Sequence, residues 1–208
     1  VRVERVESDT EMKIGAILAI DEDNGIGKDG KMAWHIPEDF KHFKNYTKNS
    51  LCIMGSVTYL DIVSHKRTNT GELLPERECI VLTTRPERFR DMCPFTGVHF
   101  MSDAELLKDI ISLTTRLPYN TPLANYTKVC IIGGRSVYEQ FFDIIDELIV
   151  TRVKGKYDCD TTMDLTPFTA IAVESALWPL EGTPHHIEFY GFNELGQFNS
   201  NPALHHIL

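Results

Sequence analysis

The chain has few of the features that would point away from an ordinary globular protein. Long apolar runs are missing: stretches such as Ile14–Ile20 fall far short of the ~20 residues that a membrane-spanning helix needs, and no charged-then-apolar segment of the export type opens the sequence. A cytoplasmic location without a membrane partner is expected. Basic residues are in the minority, 21 Lys and Arg against 30 Asp and Glu. The resulting net charge of −9 argues against nucleic acid, whose binding relies on clustered cations that displace counterions. Cysteine is sparse and scattered: Cys52, Cys79, Cys93, Cys130 and Cys159 are five in number, with no Cys-x-x-Cys pair for zinc or dithiol chemistry. Five reduced thiols are expected, with Cys52, Cys79 and Cys130 as small core residues inside apolar runs. Internal repeats and low-complexity tracts are also absent.

What remains is a globular composition, 42% hydrophobic and 25% charged over 208 residues. A chain of this size suits one domain that buries ~70% of its unfolded surface. Short apolar runs predict strands at Lys13–Ile20, Leu51–Met54, Glu78–Thr83, Gly97–Met101, Lys128–Ile132, Leu148–Lys154, Ala170–Ser175 and Ile187–Phe192. Helices are predicted from Pro37, from Ser56 after Gly55, from a Ser102-Asp-Ala-Glu105 capping box leading into Leu106, Leu107, Ile110 and Ile111, and from Gly133-Gly134 to about Phe142. The alternation implies an α/β fold: a single domain with a mostly parallel eight-stranded central sheet, about four flanking helices and an antiparallel C-terminal edge. Residues 1–12 read as an N-terminal extension, a leader or a remnant, residues 13–193 as the domain and residues 194–208 as a tail. A monomer is expected. The pairs His185-His186 and His205-His206 do not call for a metal, because adjacent side chains on a strand point to opposite faces.

The most informative segment is Ala33-Trp34-His35-Ile36-Pro37-Glu38-Asp39-Phe40-Lys41-His42-Phe43. It sets Asp39 in the first turn of a helix, where the dipole favours the anion, with Phe40 and Phe43 as an apolar wall. A carboxylate so placed can grip an amidine-like N–C–N edge through two charge-assisted hydrogen bonds. Position alone does not separate it from a solvated first-turn acid, which is the reading that Glu38 keeps. The connection Asp21–His35 holds Asn24-Gly25, Gly27 and Asp29-Gly30, turn formers that suit a loop able to move.

Several further stretches occur in a telling order: Lys13-Ile-Gly-Ala-Ile-Leu-Ala-Ile-Asp21, Asn24-Gly-Ile-Gly27, Trp34-His-Ile-Pro-Glu-Asp39, Ile53-Met-Gly-Ser-Val-Thr-Tyr59, Leu74-Pro-Glu-Arg77, Ile131-Ile-Gly-Gly134 with Val137-Tyr138-Glu139, and Asp160-Thr161. Over residues 13–193 the chain resembles the dihydrofolate reductases. The resemblance implies reduction of a dihydropterin by hydride from a nicotinamide dinucleotide, NADPH in this family, with dihydrofolate as substrate and antifolate inhibitors as expected ligands. It implies that Asp39 and Thr151 hold the amino-pyrimidine edge and that Trp34 stands beside the reacting ring. Ile17, Leu18, Ala19, Phe40, Phe43, Ile62, Leu74, Ile132 and Tyr138 would line the substrate site, and Arg77 would pair with the glutamate α-carboxylate. Cofactor contacts are implied for Ala19, Ile26, Gly27, Gly55, Ser56, Val57, Thr58, Leu82, Thr83, Thr84, Arg85, Ile132, Gly133, Gly134, Arg135, Ser136, Val137 and Tyr138. The Gly-Gly bond is commonly cis in the family, and the Asp21–His35 loop corresponds to its active-site lid.

Two departures stand out. The position after Gly55 is often basic in the family and reads the cofactor's 2′-phosphate; here it is Ser56, with Arg85 or Arg135 as possible sources of the charge. The stretch Val63–Glu72 is longer than the family's usual link, and no role is assigned to it. Two other readings stay open from sequence: a reductase of the riboflavin-pathway type, and a binding or structural protein that keeps the fold without turnover.

Overall fold

The computed structural model describes residues 12–66, 71–115 and 126–192. Eight strands form one sheet: β1 (Lys13–Ile20), β2 (Ser50–Gly55), β3 (Glu78–Leu82), β4 (Val98–Met101), β5 (Lys128–Ile131), β6 (Glu147–Arg152), β7 (Glu174–Pro179) and β8 (His186–Gly191). Their spatial order is β7-β8-β6-β1-β5-β2-β3-β4. Every pairing from β6 through β4 is parallel, while β8 is antiparallel to both β6 and β7. Only β8 therefore runs against the rest, and the expected antiparallel C-terminal edge is the β7–β8 hairpin.

Period-two alternation sorts the side chains to two faces. Ile14, Ala16, Leu18 and Ile20 of β1, Leu51 and Ile53 of β2, Val129 and Ile131 of β5, and Leu148 and Val150 of β6 pack on one face. Helices α4 (Ala104–Thr115) and α5 (Arg135–Phe141) cover that face through Leu107, Ile111, Val137 and Phe141. The intervening residues Ile17, Cys52, Met54, Cys130, Ile132 and Ile149 point to the other face. There they meet α1 (Pro37–Tyr46), α2 (Ser56–Ser64) and α3 (Pro86–Met92), through Phe43, Tyr59, Ile62 and Phe89. Register places Cys130, Cys52 and Cys79 side by side across three strands. All three are fully buried, and burial pushes each thiol up to about 12, so they are inert core residues as predicted.

Several elements differ from the sequence-based expectation. The seventh strand lies at Glu174–Pro179 rather than Ala170–Ser175. Ile171 and Ala172 are apolar because they pack on the core behind a short helix, α6 (Thr166–Thr169), whose Phe168 meets Phe142 edge-on at 3.9 Å. The true strand is exposed along its whole length, so no buried alternation marks it. Helix α3 was not anticipated, although Pro86 suits a first turn; Phe89 anchors it against Tyr59 and Phe100, with ring centroids 6.0 and 5.7 Å away. The cap of α4 is Asp103, whose Oδ1 accepts the Leu106 N–H at 2.9 Å, in place of a Ser102–Glu105 box. Leu106 and Ile110 are exposed, leaving Leu107 and Ile111 as the buried pair. Much of the long Leu117–Thr127 connection, residues 67–70 of the Val63–Glu72 stretch, His205-His206 and both chain ends lie outside the described residues.

Candidate active site

A parallel sheet gathers the carboxyl ends of its strands on one side, and a crevice opens there wherever neighbouring connections leave in opposite directions. Here β1 sits between β5 and β6, and the chain steps from β1 across to β2 before β5 returns to fill the gap. Above this point lies a cavity of about 1540 Å³. It exceeds the usual span for one drug-sized ligand, roughly 300–1,000 Å³, and has room for two molecules in contact.

One part of the cavity is built around Asp39. Helix α1 begins at Pro37 with no side-chain cap, so its first-turn N–H groups and dipole face the acids at Glu38 and Asp39. Glu38 is exposed, whereas Asp39 is 7% exposed. Strand β6 brings Thr151 beneath it, in register with Ala19 of β1 and on the same face as Ile149. The fully buried Thr151 hydroxyl donates to Asp39 Oδ1 at 2.6 Å. Burial holds the Asp39 carboxyl above the usual carboxylate range; the Thr151 hydrogen bond, His42 and His185 act in the opposite direction. Trp34 is buried nearby against Tyr157, its indole N–H without a hydrogen-bond partner. Tyr138 donates to the Ile17 carbonyl at 2.7 Å, which fixes the floor of the site.

Arg77 stands beside the other end of α1. It is 8% exposed, donates through Nη1 to Thr47 Oγ1 at 2.8 Å and through Nε to the Pro75 carbonyl at 3.0 Å, and lies 5.9 Å from the centre of the Phe43 ring. Among the described residues no carboxylate is within ion-pair distance of it. Asp39 and Thr47 are eight residues apart on the helix, about 12 Å of rise. The cavity thus carries a buried anion and a buried cation at two points separated on that scale, with Phe40, Phe43, Ile62 and Leu74 in its walls.

The remaining part is a backbone surface. Gly55 donates its N–H to the Gly133 carbonyl at 2.7 Å, tying the ends of β2 and β5 together. The Gly133–Gly134 peptide is cis, and Gly133 has φ +103; a Cβ there would lie 2.9 Å from the Tyr138 hydroxyl. Ser56, Val57 and Thr58 open α2, Arg135 and Ser136 open α5, and Leu82, Thr83 and Thr84 close the wall. These open amides and hydroxyls fit a phosphorylated cofactor. Arg135 is the cation of this wall, ion-paired with Glu139 at 2.7 Å. Arg85 precedes α3, is exposed and does not line the cavity; its amide is bonded to Thr83 Oγ1 at 3.3 Å.

The loop from Asp21 to His35 borders both parts. Asp29 (φ 52) and Gly30 (φ 72) make the tight turn between Lys28 and Lys31, whose backbones exchange hydrogen bonds of 2.8 and 2.9 Å. Residues Gly25–Gly27 pair with Thr161–Thr162, and Asp160 accepts the Asp29 N–H at 2.7 Å. The loop's base is held by Asp21, whose carboxylate accepts N–H groups from Gly25, Asp23 and Tyr157 at 2.7, 2.9 and 3.0 Å. Burial alone would raise this carboxyl, but the Gly25, Tyr157 and Asp23 donors hold it below its usual value. A depressed acid contributes stability above its unfolded pKa that is lost as pH falls through the folded value. Asp21→Ala is therefore expected to cost about 2 kcal/mol at pH 7 and progressively less below pH ~4, read from denaturant midpoints across that range. An equal loss at pH 7 and pH 3 would remove this role.

All the sequence-predicted site residues line the cavity except Arg85 and Thr151, and Thr151 acts one layer behind through Asp39. Sequence reasoning missed Gly30, Lys31, Asp61, His65, Lys66, Ser102 and Ala104 as cavity walls. Ser102 and Ala104 had a usable signal, since they follow β4 at the same sheet end as Leu82–Thr84. His185 and His186 are engaged separately, the first with the Lys154 amide at 3.0 Å and the second with Glu188 at 3.3 Å.

Fold and cavity together define an enzyme of the α/β class that acts on a small molecule and has room for a phosphorylated cofactor beside it. The chain matches the family model described as dihydrofolate reductase over residues 13–176. It is 32% identical over 157 residues to dihydrofolate reductase type 9 of Escherichia coli, covering 74% of this chain and 78% of that protein. It is 30% identical over 155 residues to dihydrofolate reductase HdrB of Haloferax volcanii, covering 74% and 72%. Among solved structures it resembles a dihydrofolate reductase from Enterococcus faecalis complexed with NADP(H) and RAB-propyl, with a TM-score of 0.63 and 25% identity over 88% of this chain and 98% of that one. The chain belongs to the dihydrofolate reductase family.

Proposed function

We propose that this protein reduces 7,8-dihydrofolate to 5,6,7,8-tetrahydrofolate with NADPH, serving one-carbon metabolism and thymidylate synthesis. The observation that carries the reading is the pair of buried charges along α1, Asp39 and Arg77, facing one apolar-walled cavity. A folate presents an amino-pyrimidine edge and a glutamate α-carboxylate at opposite ends of a rod of comparable length. Asp39 takes the first through paired hydrogen bonds, with Thr151 fixing its Oδ1, and Arg77 takes the second.

NADPH, when bound, would supply the hydride that C6 of the ring receives. Ser56–Thr58 and Gly133–Ser136 would hold its phosphates by backbone N–H groups, with Ala19, Ile26, Gly27, Leu82–Thr84 and Val137 lining the rest of its site. Asp39, at the pyrimidine edge, orients the ring and favours the positive charge that develops on it. N5 gains its proton from solvent admitted beside Met32 and Trp34, while the Asp21–His35 loop keeps bulk water from the reacting carbons. Antifolate inhibitors are expected to compete for the Asp39 end. One chain supplies the described walls, so a monomer is expected to be active.

The test is direct: purified protein, dihydrofolate and NADPH, with loss of reduced-nicotinamide absorbance as the readout and NADH as a parallel arm. Folded protein that turns over with neither cofactor would overturn the proposal and leave a binding role.

A further inference from the structure

Helix α2 lies under the lid as well as beside the substrate. Its residues Val57 and Asp61 are four apart and so share one face, one turn from each other. The lid meets both. Gly30, at the tip of the lid's tight turn, comes close enough that a Cβ there would stand 3.2 Å from Val57 Cγ1. Two residues on, the Met32 N–H is donated to Asp61 Oδ2 at 3.3 Å. Asp61 also borders the cavity and directly precedes Ile62 in its wall.

The carboxylate is not arranged as a surface acid. Its side chain is 17% exposed, and Oδ1 is buried with no hydrogen bond. His65 Nδ1 is 3.5 Å from that oxygen but makes its 2.8 Å contact with the Asp61 carbonyl instead. Leaving one oxygen of an anion poorly satisfied is costly, and the hydrogen bond gained in return is the one that reaches the lid.

We infer that Asp61 is a positioning residue that latches the lid to α2, closing the mouth of the cavity between Met32 and Ile62. Val57 provides the contact surface for the lid tip, and Asp61 provides the directional bond. Asp160 holds the lid's other side, so the loop is pinned from two elements, and Met32, Ala33 and Trp34 line the cavity beyond the pinned turn. The consequence for catalysis rests on the cavity being the dihydrofolate site; the latch itself does not.

Asp61→Ala removes the acceptor, and Asp61→Asn retains an oxygen that can accept the same N–H. Amide hydrogen exchange at Met32 is expected to quicken about tenfold or more in Asp61→Ala and to stay within about threefold of wild type in Asp61→Asn. The KM for dihydrofolate should rise about 3–10-fold in the alanine variant, with kcat within about threefold, and should return toward wild type with asparagine. Unchanged Met32 exchange in Asp61→Ala overturns the latch. So does an equal KM rise in both variants, which would assign the effect to lost charge. Should Asp61→Ala fail to fold, Asp61→Ser, too short to reach Met32, takes its place. A wild-type protein that exchanges as expected but does not turn over dihydrofolate would overturn the proposed function and leave the latch standing.

Discussion

Replacing Asp39 with asparagine is expected to lower kcat/KM for dihydrofolate by roughly 10²–10⁴ at neutral pH while making the protein more stable. The first effect follows from position. The carboxylate is the buried anion facing the ring end of the cavity, and an amide offers one acceptor and one donor where two acceptors are needed. The second follows from the direction of its pKa. Burial raises the folded-state value above that of the unfolded chain, so the neutral acid suits the fold and the anion opposes it. The associated stability is fully present below the unfolded pKa, near 4, and is lost as pH rises through the folded value. Asparagine is neutral at every pH and still accepts from Thr151 through its oxygen. The variant should match wild type near pH 3.5 and exceed it at pH 7 by about 1 kcal/mol, or ~2–4 °C in Tm for a chain of this length. Melting curves at the two pH values, with the steady-state assay, check both halves. Near-normal activity removes Asp39 from the mechanism, and a variant less stable than wild type at pH 7 removes the electrostatic account.

How far such an argument can be made from sequence differs from residue to residue. The central strands were legible because each apolar residue in β1, β2, β5 and β6 sits on one of two covered faces, and the resulting runs are continuous. Strand β7 was not, because none of its side chains is buried and its place is set by pairing with β8. The position of Asp39 after Pro37 does not separate it from a solvated acid, and the family resemblance of the stretches around it singled it out; its bond to Thr151 joins it to a partner 112 residues away. The lid was visible as a cluster of turn residues. Its attachment to Asp61 was not, since an acid in mid-helix has no local mark that separates a latch from a solvated charge. Arg77 is the clearest case: a planar cation is worth little on a surface and much when buried, and only its packing against Phe43 and Thr47 decides between them.

That burial carries the second large prediction. Arg77→Leu should raise the KM for dihydrofolate by about 10²-fold with a much smaller change in kcat. Removing one partner of a desolvated, hydrogen-bonded charge pair costs roughly 2–5 kcal/mol, and each 1.4 kcal/mol is a factor of ten. The α-carboxylate is held at the far end of the ligand from the reacting ring, so its loss weakens ground state and transition state alike and leaves the chemical step nearly intact. Leucine keeps apolar contact with Phe43 and leaves no cation behind, so the variant should fold as well as wild type. A dihydropterin that lacks the glutamate separates recognition from general damage. It has nothing for Arg77 to hold and should be reduced equally well by both proteins. A KM for dihydrofolate within threefold of wild type would show that Arg77 does not bind the substrate carboxylate. An equal loss on the truncated substrate would mean that Arg77 shapes the cavity through Thr47 and Pro75, whose oxygen atoms it already holds at 2.8 and 3.0 Å.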